Sequence, residues 1–198
     1  MGRYVRYLHA QPEVGSVDIL DGEITVVRNL RFGQVTPYFF AERPEEFIVE
    51  VQGNTAIPLM MRQESADMTT CVLTGDKDSP VLVPVEDPMM NIGEEATLRL
   101  ANFGQRDVAL YVGALPEEME LLLENASPGE VTEYADIPAG RYFADLRSDE
   151  GGTILARIPT LQMRSGILYS LYVIGTAEEW KGVLVVDGAS YLPYTFEK

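Results

Sequence analysis

The sequence predicts an all-β protein of two tandem immunoglobulin-like β-sandwich repeats, and three observations carry that prediction. Short alternating or β-branched runs recur at intervals of roughly 8–12 residues, separated by turn signals, as in a sandwich or barrel. A phrase then occurs twice: Phe32-Gly33-Gln34-Val35-Thr36-Pro37-Tyr38 returns as Pro128-Gly129-Glu130-Val131-Thr132-Glu133-Tyr134, sharing Gly-x-Val-Thr-x-Tyr at an offset of 96 residues. The offset also drifts one way, from 93 for Arg6 and Arg99, through 96 for Asn29 and Asn125, to 100 for Gly75 and Gly175 and for Asp87 and Asp187. A unit duplicated whole, with small insertions in its second copy, produces such a drift. The expected repeats are residues 1–90 and 91–198, joined near Pro88 to Glu95, the second including an aromatic C-terminal tail.

The elements follow from alternation and punctuation. In the first copy the runs predict strands over 4–9, 16–20, 24–28, 35–40, 47–51, 59–62, 68–73 and 82–85. In the second they predict strands over 96–102, 108–112, 120–124, 131–135, 140–146, 155–158, 168–174 and 182–186. Asp21-Gly22 is a tight-turn dipeptide between two apolar runs. Leu115 to Glu124 reads as a helix by propensity, yet the repeat lays Leu121–Leu123 on the β-branched Thr25–Val27. The duplicated fold overrides the local preference, which leaves a strand preceded by a short turn at Pro116–Glu118. Tyr38 and Tyr134 read as strand-end caps, with buried rings and hydroxyls on backbone, about seven strands to a sandwich. Gly33 and Gly129 supply the turn geometry.

Charge narrows the partners. The chain of 198 residues carries a net charge of −16, with −7 in residues 1–90 and −9 in residues 91–198. An evenly acidic surface repels phosphate backbones and anionic lipid, so neither nucleic acid nor membrane insertion is expected. No run reaches the roughly 18 apolar residues of a membrane span. No secretory signal is legible in the first residues, which suggests cytoplasmic synthesis and leaves the compartment open. The lone Cys71 lies in a strand-like run, as a buried structural thiol does.

Catalytic signatures are lacking, so the chain is expected not to be an enzyme and to need no cofactor. His9 is the single histidine, which removes two-histidine zinc motifs, and no Gly-x-Ser-x-Gly elbow accompanies it. It is expected to hydrogen-bond backbone at a strand end. With 31 acidic residues, Asp145 among them, any carboxylate pair can be matched to a glycosidase by chance. Asp76 and Asp78 are the calcium candidates, two residues apart in a loop, but Lys77 interrupts them and no EF-hand glycine and glutamate follow. Trp180 and the tail aromatics Tyr191, Tyr194 and Phe196 are the candidate contact residues.

The run Val5-Arg6-Tyr7-Leu8-His9-Ala10-Gln11-Pro12, then Gly15 to Ile19, then Asn29 to Tyr38, resembles the bacterial domain of unknown function 4397 family over most of residues 3–87. Gln11 stands where that family usually has Ser, and the second copy lacks the His-Ala-x-Pro phrase. The resemblance implies tandem immunoglobulin-like sandwiches on exported or wall-attached bacterial proteins, with no established activity. The expected function is a non-enzymatic structural or interaction protein, self-associating in a bacterial surface, spore or extracellular assembly. The alternative is a monomeric module binding a glycan, peptide or protein.

Overall fold

The computed structural model describes residues 3–42, 47–51, 55–58, 67–89, 93–148, 152–176 and 179–188. Its regular structure is nearly all strand, and the chain divides into two compact units, Met1–Met89 and Met90–Lys198. The run expected as a strand over 59–62, and the tail residues Tyr191, Tyr194 and Phe196, lie outside the described residues. Among the described residues no helix is long and apolar enough to cross a membrane.

The first unit holds β1 (Arg3–His9), β2 (Val17–Asp21), β3 (Ile24–Leu30), β4 (Phe39–Ala41), β5 (Phe47–Val51), β6 (Thr55–Pro58), β7 (Met68–Asp76) and β8 (Ser79–Asp87). The second holds β9 (Ala96–Phe103), β10 (Val108–Gly113), β11 (Glu120–Ala126), β12 (Ala135–Ile137), β13 (Gly140–Arg147), β14 (Ile154–Met163), β15 (Leu168–Gly175) and β16 (Trp180–Val186). The sheets of the first unit run β4-β1-β7-β8 and β3-β2-β5-β6, and those of the second run β12-β9-β15-β16 and β11-β10-β13-β14. These are the same orders, strand for strand. Each unit therefore has eight described strands rather than about seven. Among the described residues of each unit, the one parallel pairing joins the first strand to the seventh, β1 to β7 and β9 to β15.

Each unit is a sandwich because both of its sheets feed one core. Val5, Tyr7, Cys71 and Leu73 meet Val17, Ile19 and Val49 in the first. Leu98, Leu100, Leu171 and Val173 meet Leu110, Ala144, Leu146 and Leu161 in the second. Burial of such side chains stabilises by about 1.5–3 kcal/mol each before the chain's ordering cost is set against it. Burial also pushes the Cys71 thiol well above its usual range, with the Asp87 charge adding to the effect, so it stays protonated and inert.

The repeated phrase forms a bulged edge rather than the continuous strands expected over 35–40 and 131–135. Leu8 bridges Val35 while Val5 pairs Phe39, so three steps on β1 face four on its partner. Ala101 and Val131, then Leu98 and Ala135, repeat that slip. One extra residue is a β-bulge, and the threonine holds it. The Tyr7 N–H donates to Thr36 Oγ1 at 2.9 Å, and the Leu100 N–H to Thr132 Oγ1 at 3.0 Å. The threonine N–H groups donate back to the Tyr7 and Leu100 carbonyls, both at 2.9 Å. Upstream, Gly33 (φ 76°) and Gly129 (φ 86°) turn the chain in the left-handed region and donate to the carbonyls of His9 and Asn102.

Candidate functional site

The bulge delivers each tyrosine to a buried charge cluster on the sheet face opposite the core. Tyr38 donates to Asp87 Oδ2 at 2.6 Å, and Tyr134 to Asp187 Oδ2 at 2.9 Å. The hydroxyls therefore bond a carboxylate, not backbone as the sequence suggested. Arg6 Nε donates to Thr70 Oγ1 at 2.7 Å, and Thr70 Oγ1 donates on to Asp87 Oδ2 at 2.6 Å. Arg99, Ser170 and Asp187 repeat the relay at 2.7 and 2.5 Å. Each arginine also lies over its tyrosine ring, 4.3 Å from the Tyr38 centroid and 4.8 Å from that of Tyr134. Arg6 and Asp87 are at most 2% exposed, so a small hydroxyl bridging guanidinium and carboxylate offsets part of their desolvation. Both clusters are framework, closed to a ligand by burial.

His9 ends β1, and its Nε2–H donates to the Gly15 carbonyl at 2.8 Å. Burial holds its pKa below the usual histidine range, so the ring is neutral in the fold. Its counterpart Asn102 donates to the carbonyls of Arg106 and Ala126, each at 2.8 Å. Asp76 and Asp78 are exposed at a two-residue hairpin turn, and among the described residues no three His, Cys, Asp or Glu side chains gather as metal ligands do. Trp180 opens β16 opposite Gly175, and its indole lies on Gly104, where a Cβ would collide with the ring.

The two units differ on the outer face of the second sheet. Register places Thr25, Leu20, Ile48 and Pro58 in one row across the first unit. The same row of the second unit reads Leu121, Tyr111, Asp145 and Arg157. One pair along, Asp18 opposite Glu50 becomes Ala109 opposite Arg147. Leu110, Ala144 and Leu146 point into the core, so alternation sends Tyr111, Asp145 and Arg147 outward.

Asp145 is fully covered although it faces outward, because two guanidinium groups close over it. Arg157 grips it through Nε at 2.8 Å and Nη2 at 3.2 Å, and Arg147 Nη2 lies at 3.1 Å. The Arg157 bonds, opposed by desolvation and aided by Arg147, hold its pKa below the usual aspartate range. Arg147 lies 4.3 Å over the Tyr111 ring, and its buried Nε has no hydrogen-bond partner among the described residues. Arg157 is exposed over 52% of its side chain.

A hollow of about 270 Å³ opens beside this cluster, lined by Ala109, Tyr111, Leu121, Glu124 and Asn125. In the first unit the matching bulge is bridged by a carboxylate. The Asn29 N–H donates to Asp18 Oδ1 at 2.7 Å, with Asn29 at φ 56° in the left-handed region that asparagine tolerates. Ala109 has no carboxylate to offer at that position. Sequence reasoning missed Tyr111, Arg147 and Arg157, and met Asp145 as one carboxylate among many. The legible signal was polar residues in outward positions where the first copy has Leu20 and Ile48.

No family model and no curated protein matches the chain. Among solved structures, it is similar to the C-terminal domain of AlgF from P. aeruginosa, at 16% identity over 47% of this chain and 98% of that one, with a TM-score of 0.38.

Proposed function

We propose that the chain is a non-enzymatic interaction protein in which two copies of one rigid sandwich serve as frame and the outer face of β11-β10-β13-β14 serves as the recognition surface. One observation carries the reading. At matched register the buried residues keep their roles, whereas the outward row changes from Leu20 and Ile48 to Tyr111 and Asp145 with two arginines. The buried Arg147 Nε has no hydrogen-bond partner among the described residues; a buried donor without a partner is costly to the fold, and such costs concentrate where a surface has a task.

Recognition by a face is favoured over pairing at the sheet edges formed by β4, β8, β12 and β14. Pro159 interrupts β14 where its register with β13 slips, β8 contains Pro80 and Pro84, and β4 and β12 are three residues long. Proline and bulges blunt an edge against added strands. The resemblance to an exported family supports a place at the bacterial surface as part of the same proposal.

The test is a combined glycan and peptide array probed with the full chain. Loss of signal in Tyr111→Ala/Arg157→Ala, with retention in Leu20→Ala and all melting temperatures within a few degrees, is expected. Signal that survives the double substitution places recognition elsewhere.

A further inference from the structure

We infer that this face binds an acidic peptide segment, a carboxylate meeting the arginine pair and a neighbouring apolar side chain entering the hollow. The inference rests on the recognition surface proposed above and names its partner.

Charge is the first support. The chain carries −16, yet here two guanidinium groups stand against Asp145 and the Glu124 of the hollow, so the patch is locally neutral on an otherwise acidic protein. The first unit has Glu50 and Pro58 at the register positions of Arg147 and Arg157, so the guanidinium pair belongs to the second unit's face. Donor geometry is the second. Arg157 spends its Nε–Nη2 edge on Asp145, so Nη1 has no hydrogen bond among the described residues, and the half-exposed side chain presents it to solvent. An arginine fork with one edge fixed and the other free is preorganised for a second carboxylate.

The hollow supplies the rest. Ala109, Tyr111 and the exposed Leu121 form an apolar wall, and the Glu124 carboxylate that also lines the hollow is an acceptor for a peptide N–H. One face of Tyr111 is already covered by Arg147, which reduces what the ring offers for stacking on a sugar. Anion donors, an apolar wall and an amide acceptor side by side match an extended peptide that alternates acidic and apolar side chains. A second copy of this acidic chain would have to approach against the repulsion of two such charges.

The experiment titrates the full chain into a short fluorescein-labelled peptide alternating Glu and Phe, and into its Gln-for-Glu counterpart, by fluorescence anisotropy. Saturable binding of the Glu peptide is expected, weakened about tenfold or more by the Gln replacement and weakened again by 0.5 M salt. Arg157→Lys keeps the charge but loses the fork, and is expected to weaken binding about fivefold or more with the melting temperature preserved. Ala109→Asp restores the carboxylate that Asp18 supplies in the first unit and sets it opposite Arg147, where it competes with the peptide's carboxylate; it is expected to weaken binding about tenfold.

Equal affinity for the two peptides, or affinity untouched by both substitutions, overturns the inference. So does light scattering that shows a dimer dispersed by Arg157→Lys, which assigns the face to a second copy. Failure here together with array hits on neutral glycans lost in Tyr111→Ala/Arg157→Ala would overturn the peptide and leave the recognition surface standing.

Discussion

Leu20 and Ile48 lie side by side on the outer face of the first unit, and Tyr111 and Asp145 occupy the same register in the second. Behind these faces the units coincide: Arg6, Thr70, Asp87 and Tyr38 are matched by Arg99, Ser170, Asp187 and Tyr134, bond for bond. Duplication holds the buried relay in place because a buried charge tolerates no loss of its partner, whereas an outward position is constrained only by solubility and strand propensity. Divergence is therefore informative on the face and uninformative in the relay.

The largest effect that sharpens this comparison comes from the relay. Asp87→Ala and Asp187→Ala each remove the buried carboxylate on which the relay ends and are expected to destabilise their own unit by about 3–5 kcal/mol. Urea unfolding followed by hydrogen exchange of β1 and β9 amides measures both. A loss confined to one of the two substitutions breaks the equivalence of the units.

The threonine of the repeated phrase comes next. Thr36→Val leaves the Tyr7 N–H without its acceptor, and Thr132→Val does the same to Leu100. Each is expected to cost about 1–3 kcal/mol, with Thr36 the larger because it is buried and Thr132 only half-buried. Gly129→Ala is milder, since an added Cβ meets nothing within 4 Å and the penalty is left-handed backbone alone, about 1–2 kcal/mol.

The smallest effect separates the units by pH. His9 has its folded pKa lowered, so its contribution is full above the unfolded value of about 6.5 and is lost as pH falls below it. Asp145 has its folded pKa lowered from about 3.8, so its contribution is full above that value and is lost only below it. Between roughly pH 4 and 6 the first unit should weaken through His9 while Asn102, its counterpart, does not titrate. Exchange protection falling in β1 before β9 on acidification is expected, and His9→Asn should abolish the difference.

Much of this frame was legible in the chain. The Gly-x-Val-Thr-x-Tyr phrase and the pairs Arg6–Arg99 and Asp87–Asp187 stood out because buried, directional contacts restrict residue identity at fixed spacing. The bulge was not legible: a threonine hydroxyl replacing a ladder carbonyl leaves the alternation looking like one continuous strand. Neither was the carboxylate on which Tyr38 ends, 49 residues downstream, since local pattern carries no information about that distance. The outward cluster was hidden for a different reason. Arg157 is 12 residues from Asp145, and only the pairing of β13 with β14 brings them together.

The most direct measurement moves one face onto the other frame. Asp18→Ala, Leu20→Tyr, Thr25→Leu, Arg28→Glu, Ile48→Asp, Glu50→Arg and Pro58→Arg together place at the first unit's register positions the residues that form the site in the second, and calorimetric titration with the Glu–Phe peptide counts the sites. Two peptides bound per folded chain, against one for the natural sequence, is the expected result. A folded chain that still binds one peptide would contradict the claim that a shared frame presents a recognition surface written in its outward residues.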